Sequence, residues 1–446
     1  MNRPTGLCNF FFTIPWQERS RRGESAVASV VAFDSPAIYP ATNHHKIKPV
    51  KTWVEISESR LLANYKTLAA AATPNTILAI TKANAYGHNA ALCAPILARG
   101  GAPWLGIADA QEGEAIRKNL SEAGIKSQPR ILVMCGTLPE ESADIIRNNL
   151  TPVVWQQHQL EALAAAVHQH GDHTTPLPIH LEIDTGMSRQ GMPPGERLHT
   201  LLHWLKSHPL LRLEGVLTHF AEPELATSPN TRKQRRRFEE ALASVVGAGF
   251  QPQWIHAGNS SLIDNQDPDE NLSWLTKLAA TVKANPMVRP GIALYGYCLP
   301  IDSASPCQPK LQPSLQPVLA WKTRILALQD IAPGDTIGYN ATYIATKPMR
   351  IALLPVGYSD GLRRELSSTN TKPGGWVLID HQKAPIVGRI SMNLTTVDVT
   401  NIPQVKPGDE VTLLGENITA DDHAMLARTI SYEILCAVRS PAHLVL

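Results

Sequence analysis

Thr76-Ile77-Leu78-Ala79-Ile80-Thr81-Lys82-Ala83 is an apolar run of strand length that closes on a lysine and leads into a helical stretch. Seven more such runs follow. They are Trp104 to Asp109 (WLGIAD), Arg130 to Gly136 (RILVMCG), Thr151 to Trp155 (TPVVW), Ile179 to Gly186 (IHLEIDTG), Leu213 to Phe220 (LEGVLTHF), Trp254 to Asn259 (WIHAGN) and Met287 to Gly296 (MVRPGIALYG). Successive runs start roughly 20 to 40 residues apart, room for a strand, a loop and a helix in each unit. Wholly apolar strands alternating with amphipathic helices predict a parallel sheet covered on both faces. Eight units predict a closed (β/α)8 barrel, an α/β fold of TIM type. Lys82, Asp109, Asp184, His219 and Asn259 all fall late in these runs. The rim at the strand C-termini is where barrels of this kind carry their active sites.

On either side of the barrel the texture changes. Residues 301–317 are rich in Pro, Ser and Gln and read as a linker. Residues 318–446 show β-branched alternation broken by turn signals. Strands are expected at Thr323 to Asp330, Thr336 to Ala345, Arg350 to Tyr358, Trp376 to Asp380, Ile386 to Val399 and Glu410 to Gly415. Pro-Gly-Asp at 333–335 and 407–409 marks turns between them. This is a mostly β second domain. Trp53-Val54-Glu55-Ile56 reads as a short strand that opens the 51–300 barrel domain, and the polar stretch Asp264 to Asn271 reads as a surface insertion. Residues 1–50 have a short apolar patch with Arg19, Arg21 and Arg22 on the wrong side of it for a secretory signal. They are expected to be a poorly ordered extension or a mis-assigned start, with a transit peptide as the alternative.

The 446 residues and 43% hydrophobic content suffice for one large domain and a second. A net charge of +2 implies no acidic polymer or membrane surface as partner. The run Arg232-Lys233-Gln234-Arg235-Arg236-Arg237, followed by Glu239 and Glu240, is expected to be a solvated helix face, not a nucleic-acid site. Six scattered cysteines without a CxxC pair suit reduced thiols in a cytoplasmic enzyme. No stretch reaches membrane-span length, and no metal site is expected.

A lysine at the end of a buried strand costs desolvation unless it is used. A partly buried lysine loses its proton more easily, which suits Schiff-base formation. A lone lysine here could equally snorkel off the rim. Its neighbours decide: Lys82-Ala83-Asn84-Ala85-Tyr86-Gly87-His88 closely resembles the pyridoxal 5′-phosphate attachment signature of the alanine racemases. The resemblance runs in order from about residue 52 to about residue 440.

The resemblance implies a set of roles. Lys82 would carry the cofactor, and Ser260, Gly291, Ile292, Tyr86 and Tyr432 would hold its phosphate. Asn259 stands beside Ser260 in the same cofactor segment. Taken singly, Gly291 also reads as a turn, Ser260 as a helix cap and Tyr432 as a packed helix residue. Arg289 would face the pyridine nitrogen. An arginine only donates hydrogen bonds, so it disfavours a protonated ring nitrogen and favours return of the proton to Cα. His256 would orient Arg289. His219 would lie against the ring, or else be a satisfied core histidine. Lys82 would serve the D face, and Tyr339, in Gly338-Tyr339-Asn340-Ala341-Thr342-Tyr343, the L face from a second subunit, which makes a homodimer with a shared site. Otherwise Tyr339 is a surface aromatic in a hairpin. A phenol is a poor base at neutral pH, so positive neighbours, His219 with Arg289 behind it, are expected to help. Arg189 and the backbone of Met392 would bind the substrate carboxylate, and Tyr358 would narrow the site. Arg364 and Arg389 match positions along the substrate's access corridor, or are plain surface charges.

Three positions depart from the family. Glu182 stands where many members have a carbamylated lysine, and a bidentate pair between Glu182 and Arg189 is expected in its place. Asn393 stands where Asp is usual, and Glu224 where Asp is common. The implied reaction is racemisation of alanine, in the service of either cell-wall D-alanine supply or L-alanine catabolism. A racemase of broader specificity is the first alternative. A non-catalytic pyridoxal phosphate carrier lacks the β domain and the second base, and a decarboxylase of similar architecture lacks the arginine on the ring nitrogen.

Overall fold

The computed structural model describes residues 50–171, 174–225, 227–265, 270–301, 309–311 and 314–445. Residues 1–49, most of the expected linker and the middle of the expected 264–271 insertion lie outside the described residues.

The first strand, β1 (Thr52–Ser57), is followed by eight that close on themselves: β2 (Thr76–Ile80), β3 (Trp104–Ile107), β4 (Arg130–Val133), β5 (Thr151–Val154), β6 (Leu177–Glu182), β7 (Leu211–Leu217), β8 (Trp254–His256) and β9 (Asn285–Val288). Each pairs in parallel with its neighbours, and β2 meets β9 through Thr76 opposite Met287 and Ile77 opposite Val288. Strands β3 and β5 are buried at every position, as expected of strands covered on both faces. The barrel therefore forms from the eight apolar runs, but every strand ends before its run does. Strand β2 stops at Ile80, and β9 stops at Val288, where Arg289 and Pro290 lead into a 3-10 turn, Ile292–Tyr295.

Strand β1 does not belong to the barrel wall. It pairs antiparallel with Leu319–Arg324 and parallel with Ala442–Val445, inside a six-stranded sheet of the second domain. A smaller sheet joins Ala327–Ile331, Met349–Leu354 and Thr395–Asp398. The stretch Thr323 to Asp330 is thus two strands. The chain changes sheets at Ile325 and Leu326, whose amides donate to Asp409 O and Leu353 O. Both Pro-Gly-Asp motifs are turns, with Asp335 and Asp409 carboxylates accepting from the amides of Ala332 and Lys406. One apolar cluster runs from barrel residues such as Leu78 and Leu105 to sheet residues such as Trp321 and Leu413, so the two domains share a core. Two helices, Ala420–Ala427 and Ser431–Cys436, carry the second domain back to the barrel rim. Among the described residues, no helix is long and apolar enough to cross a membrane.

Candidate active site

Lys82 follows β2 at the barrel rim and opens a turn of unusual hand. Ala83, Asn84, Ala85 and Tyr86 all have positive φ, between 53° and 56°. Left-handed backbone costs an L-residue roughly 1–2 kcal/mol, so such a run persists only if it is held from outside. The turn closes on itself through Ala85 N to Thr81 O and Gly87 N to Ala83 O. Asn84 also braces it by accepting from the Ala90 amide at 2.8 Å. The Glu112 carboxylate accepts from Asn84 N at 3.3 Å and from Ala108 N at 2.8 Å. Burial raises the Glu112 pKa, and these backbone donors oppose the rise. Glu112 is a supporting residue that the sequence did not single out.

Tyr86 points from the turn toward a cluster of small groups. A Cβ on Gly291 would lie 2.2 Å from the Tyr86 hydroxyl, so only glycine admits that hydroxyl. Ser260 Oγ accepts from Gly291 N at 3.0 Å and from Ala293 N at 3.2 Å. Tyr432, on Ser431–Cys436, brings its ring within 5.7 Å of that of Tyr86. Burial, first of all, pushes both phenols above their ordinary value, so both stay protonated donors. Ile292 opens the 3-10 turn next to Gly291. Hydroxyls and turn amides converging in this way form an anion cradle. Asn259, next to Ser260, accepts from Leu262 N on Oδ1 and caps the short helix Ser260–Asp264.

Arg289 is buried, at 3% exposure, and every contact it makes is that of a donor. Its Nη2 reaches Thr218 O at 2.7 Å and His219 Nδ1 at 3.0 Å, and its Nη1 reaches His256 Nδ1 at 3.3 Å. Among the described residues, its buried Nε has no partner. Burial lowers the guanidinium pKa to about 10, with Glu182 opposing and Arg189 adding to the fall, so Arg289 remains a cation at neutral pH. His219 is neutral. Burial, then Arg289, Arg189 and Lys82, hold its pKa down at about 3. The positive charge expected on His219 is therefore on Arg289 alone.

Glu182 is buried at the end of β6, but it does not pair with Arg189. Its Oε2 accepts from Gln190 Nε2 at 2.5 Å, and Gln190 also donates to Met134 O at 3.0 Å. Arg189 is exposed, acts on Glu182 only through its field, and lines the same recess as Glu182, Gln190 and His219. The expected bidentate pair is thus replaced by a neutral amide clamp. The loop carrying Arg189 is shaped by Asp184, whose Oδ1 accepts from the amides of Gly186, Met187 and Ser188.

Tyr339, Tyr358 and Met392 lie apart from this constellation. They are 65%, 44% and 56% exposed, on turns of the second domain. The turns of Tyr358 and Met392 are knitted together by Tyr358 N to Ser391 O, Ser359 N to Met392 O, and Asn393 Nδ2 to Ser359 Oγ. Among the described residues, no hydrogen bond or ion pair ties any of the three to Lys82. Glu224 accepts from Ser261 Oγ at 2.9 Å, one residue from Ser260. Of the basic run, Arg232, Lys233 and Arg236 are exposed on the helix Pro229–Gly247, as a solvated face would be, while the others pack. Arg237 donates to Thr185 O, Arg235 lies over the Trp274 ring, and Gln234 braces His219 O. A larger cavity, about 850 Å³, lies on the face of the six-stranded sheet, where Lys322 bridges Glu55 and Glu410; none of the Lys82 constellation lines it.

Known proteins share both halves of this arrangement. Residues 56–299 match the alanine racemase N-terminal domain, and residues 318–445 match the alanine racemase C-terminal domain. An alanine racemase of Syntrophobacter fumaroxidans is 36% identical over 392 residues, covering 87% of this chain and 95% of its own. One from Nostoc is 33% identical over 395 residues, with 87% and 94% covered. The solved alanine racemase of Streptomyces coelicolor superposes with a TM-score of 0.77 at 29% identity, covering 89% of this chain and 98% of that one. That of Bartonella henselae, described with covalently bound pyridoxal phosphate, superposes at 0.72 with 25% identity, covering 89% and all of its own chain. This chain belongs to the alanine racemase family.

Proposed function

We propose that this enzyme interconverts L- and D-alanine with pyridoxal 5′-phosphate held on Lys82, as a homodimer whose sites are completed by Tyr339 of the partner subunit. The observation that carries the reading is the buried, unpartnered Nε of Arg289, at the same rim as Lys82 and the Ser260–Gly291–Tyr86–Tyr432 cradle. A phosphate fits the cradle, and an aromatic nitrogen acceptor fits the orphaned Nε–H. When bound, the cofactor supplies an electron sink that acidifies the Cα–H of the amino acid.

The protein's own groups then decide the outcome. Arg289 donates and cannot accept, so it keeps the ring nitrogen unprotonated and steers the proton back to Cα. Lys82 Nζ exchanges that proton on one face, and the Tyr339 oxygen of the partner subunit on the other. Since Arg289 donates to His219 Nδ1, the proton of neutral His219 sits on Nε2. That N–H, polarised by the guanidinium behind it, is the group available to stabilise a phenolate. Arg189 takes the substrate carboxylate together with the amide of Met392 of the partner subunit, while Tyr358 of the partner subunit and Tyr432 leave room for a small side chain. The four described cysteines are free thiols, which suits a cytoplasmic setting.

The test is a racemisation assay, in both directions, on the purified chain supplied with pyridoxal phosphate. Lys82→Ala should lose activity and the visible absorption of lysine-bound cofactor together. Tyr339→Phe should keep that absorption and lose racemisation by about 100-fold or more, the scale of a removed general base. Release of carbon dioxide, or equal loss of cofactor and activity in Tyr339→Phe, would refute the assignment.

A further inference from the structure

Behind Arg289 a line of buried polar side chains runs down the barrel interior. His256, the last residue of β8, takes Arg289 Nη1–H on Nδ1 at 3.3 Å. Its Nε2 lies 2.9 Å from Nδ1 of His180, in the middle of β6. Nε2 of His180 lies 3.4 Å from Oε2 of Glu214, in β7. That last contact is electrostatic, too long and bent for a full hydrogen bond. Glu214 is gripped in turn by Arg130 at 2.6 and 2.9 Å and by Arg212 at 2.9 Å. Both histidines are fully buried and Glu214 is 2% exposed, while Arg130 and Arg212 reach solvent at the N-terminal ends of the strands. The line occupies space reserved for it: a Cβ on Gly215 would lie 2.5 Å from His180 Nδ1.

Arginine cannot accept a hydrogen bond. His256 Nδ1 must therefore be bare, and its proton sits on Nε2. That proton can only be donated to His180 Nδ1, which must also be bare. The remaining His180 proton, on Nε2, faces the Glu214 carboxylate. Burial, chiefly, holds both histidines below their ordinary pKa, so each carries one proton. Burial alone would raise the Glu214 pKa, but His180 and Arg130 outweigh it and bring it down to about 2. The line thus has a charged acceptor at one end, a donor-only cation at the other, and two neutral rings whose tautomers leave no choice.

We propose that Glu214, His180 and His256 form a one-way polar line, hydrogen-bonded from His180 to Arg289 and anchored electrostatically on Glu214, that locks the orientation of Arg289, and that Glu214 and His180 are positioning residues for the reaction at the opposite end of the barrel. Their effect on catalysis rests on the function proposed above; the tautomers do not. The line keeps Arg289 with its acceptor neighbours satisfied and its Nε–H free for the ring nitrogen. A reversed His180, with a proton on Nδ1, would force His256 to present a proton to Arg289, donor against donor.

The test has two arms. Neutron diffraction from deuterated crystals of the full chain should show deuterium on Nε2 of both His256 and His180, and none on either Nδ1. Deuterium on Nδ1 of either ring overturns the proposal, whether or not the enzyme racemises alanine. The second arm compares two variants. In His180→Gln the amide oxygen can accept from His256 and the amide nitrogen can donate to Glu214, so the line survives. In His180→Phe the His256 proton is orphaned in a buried site, which costs about one tenfold step or more. With cofactor bound in both, kcat of His180→Gln should stay close to wild type. That of His180→Phe should fall about tenfold or more with KM little changed, and loss of the cofactor to abortive transamination per turnover should rise. Equal loss in both variants, or none in His180→Phe, overturns the positioning role.

Discussion

Gln190, not Arg189, holds the Glu182 carboxylate: its Nε2 donates to Oε2 at 2.5 Å while Arg189 remains exposed beside it. The departure from the family's lysine at this position therefore leaves Arg189 unpaired for a substrate. Burial raises the Glu182 pKa, while the Gln190 bond and the fields of Arg289 and Arg189 oppose the rise.

Gln190→Leu should release Glu182 to swing onto Arg189 and compete with the substrate carboxylate. A hydrogen bond to a charged group is worth about 1.5–3 kcal/mol, so KM for alanine should rise about tenfold or more, with a smaller change in kcat. Steady-state kinetics in both directions checks this. An unchanged KM would mean that the clamp does not matter to binding.

Gly291→Ala places a methyl group where the Tyr86 hydroxyl lies, 2.2 Å away. The barrel should fold, since Gly291 lies in a rim turn beyond β9. Affinity for pyridoxal phosphate should fall about tenfold or more, the scale of one displaced charge-assisted hydrogen bond. A titration followed by the cofactor's visible absorption reads it, with Gly247→Ala, where a Cβ meets nothing and φ is not positive, as a reference for a glycine replaced in open space.

Buried histidines should make the fold acid-sensitive. Burial holds His88 and His423 down at about 4, and burial with nearby cations holds His219 at about 3. In the unfolded chain a histidine titrates at about 6.5. Between these values the unfolded chain binds more protons, so the stability is complete above about pH 6.5 and is lost as pH falls. Each group contributes at most about 1.4 kcal/mol per pH unit. Thermal unfolding should give a Tm that falls steadily from pH 7.5 to pH 5. A flat or rising Tm over that interval would contradict the neutral assignment of these rings.

The barrel was legible because burial on both faces leaves a strand with nothing but apolar residues. The runs around Leu78, Leu105 and Val153 announce themselves for that reason. Strand ends were less legible. Ala83 to Tyr86 look like an ordinary continuation, and only tertiary bracing by Thr81, Glu112 and Ala90 selects the left-handed turn. The place of β1 was hidden because its partners, Leu319–Arg324 and Ala442–Val445, lie more than 250 residues away in the chain. At the site, Lys82, Arg289 and the cradle residues could be named from motifs. Glu112, His180 and Glu214 could not, since each acts through a partner distant in sequence, and Gln190 could not because its neighbour Arg189 is the more obvious partner for Glu182. His180 did leave one trace, a polar residue in the middle of an otherwise apolar strand.

The central claim is that Lys82 and Tyr339 act on one substrate from two subunits, and mixing two dead variants tests it directly. Lys82→Ala and Tyr339→Phe should each be inactive alone. Unfolded together and refolded as a one-to-one mixture, half of the dimers should be mixed, each with one intact site. About a quarter of wild-type activity should then return, as the symmetry of an isologous dimer requires. No recovery, with mixed dimers shown to form, would contradict a shared site and place Lys82 and Tyr339 of one chain in the same site.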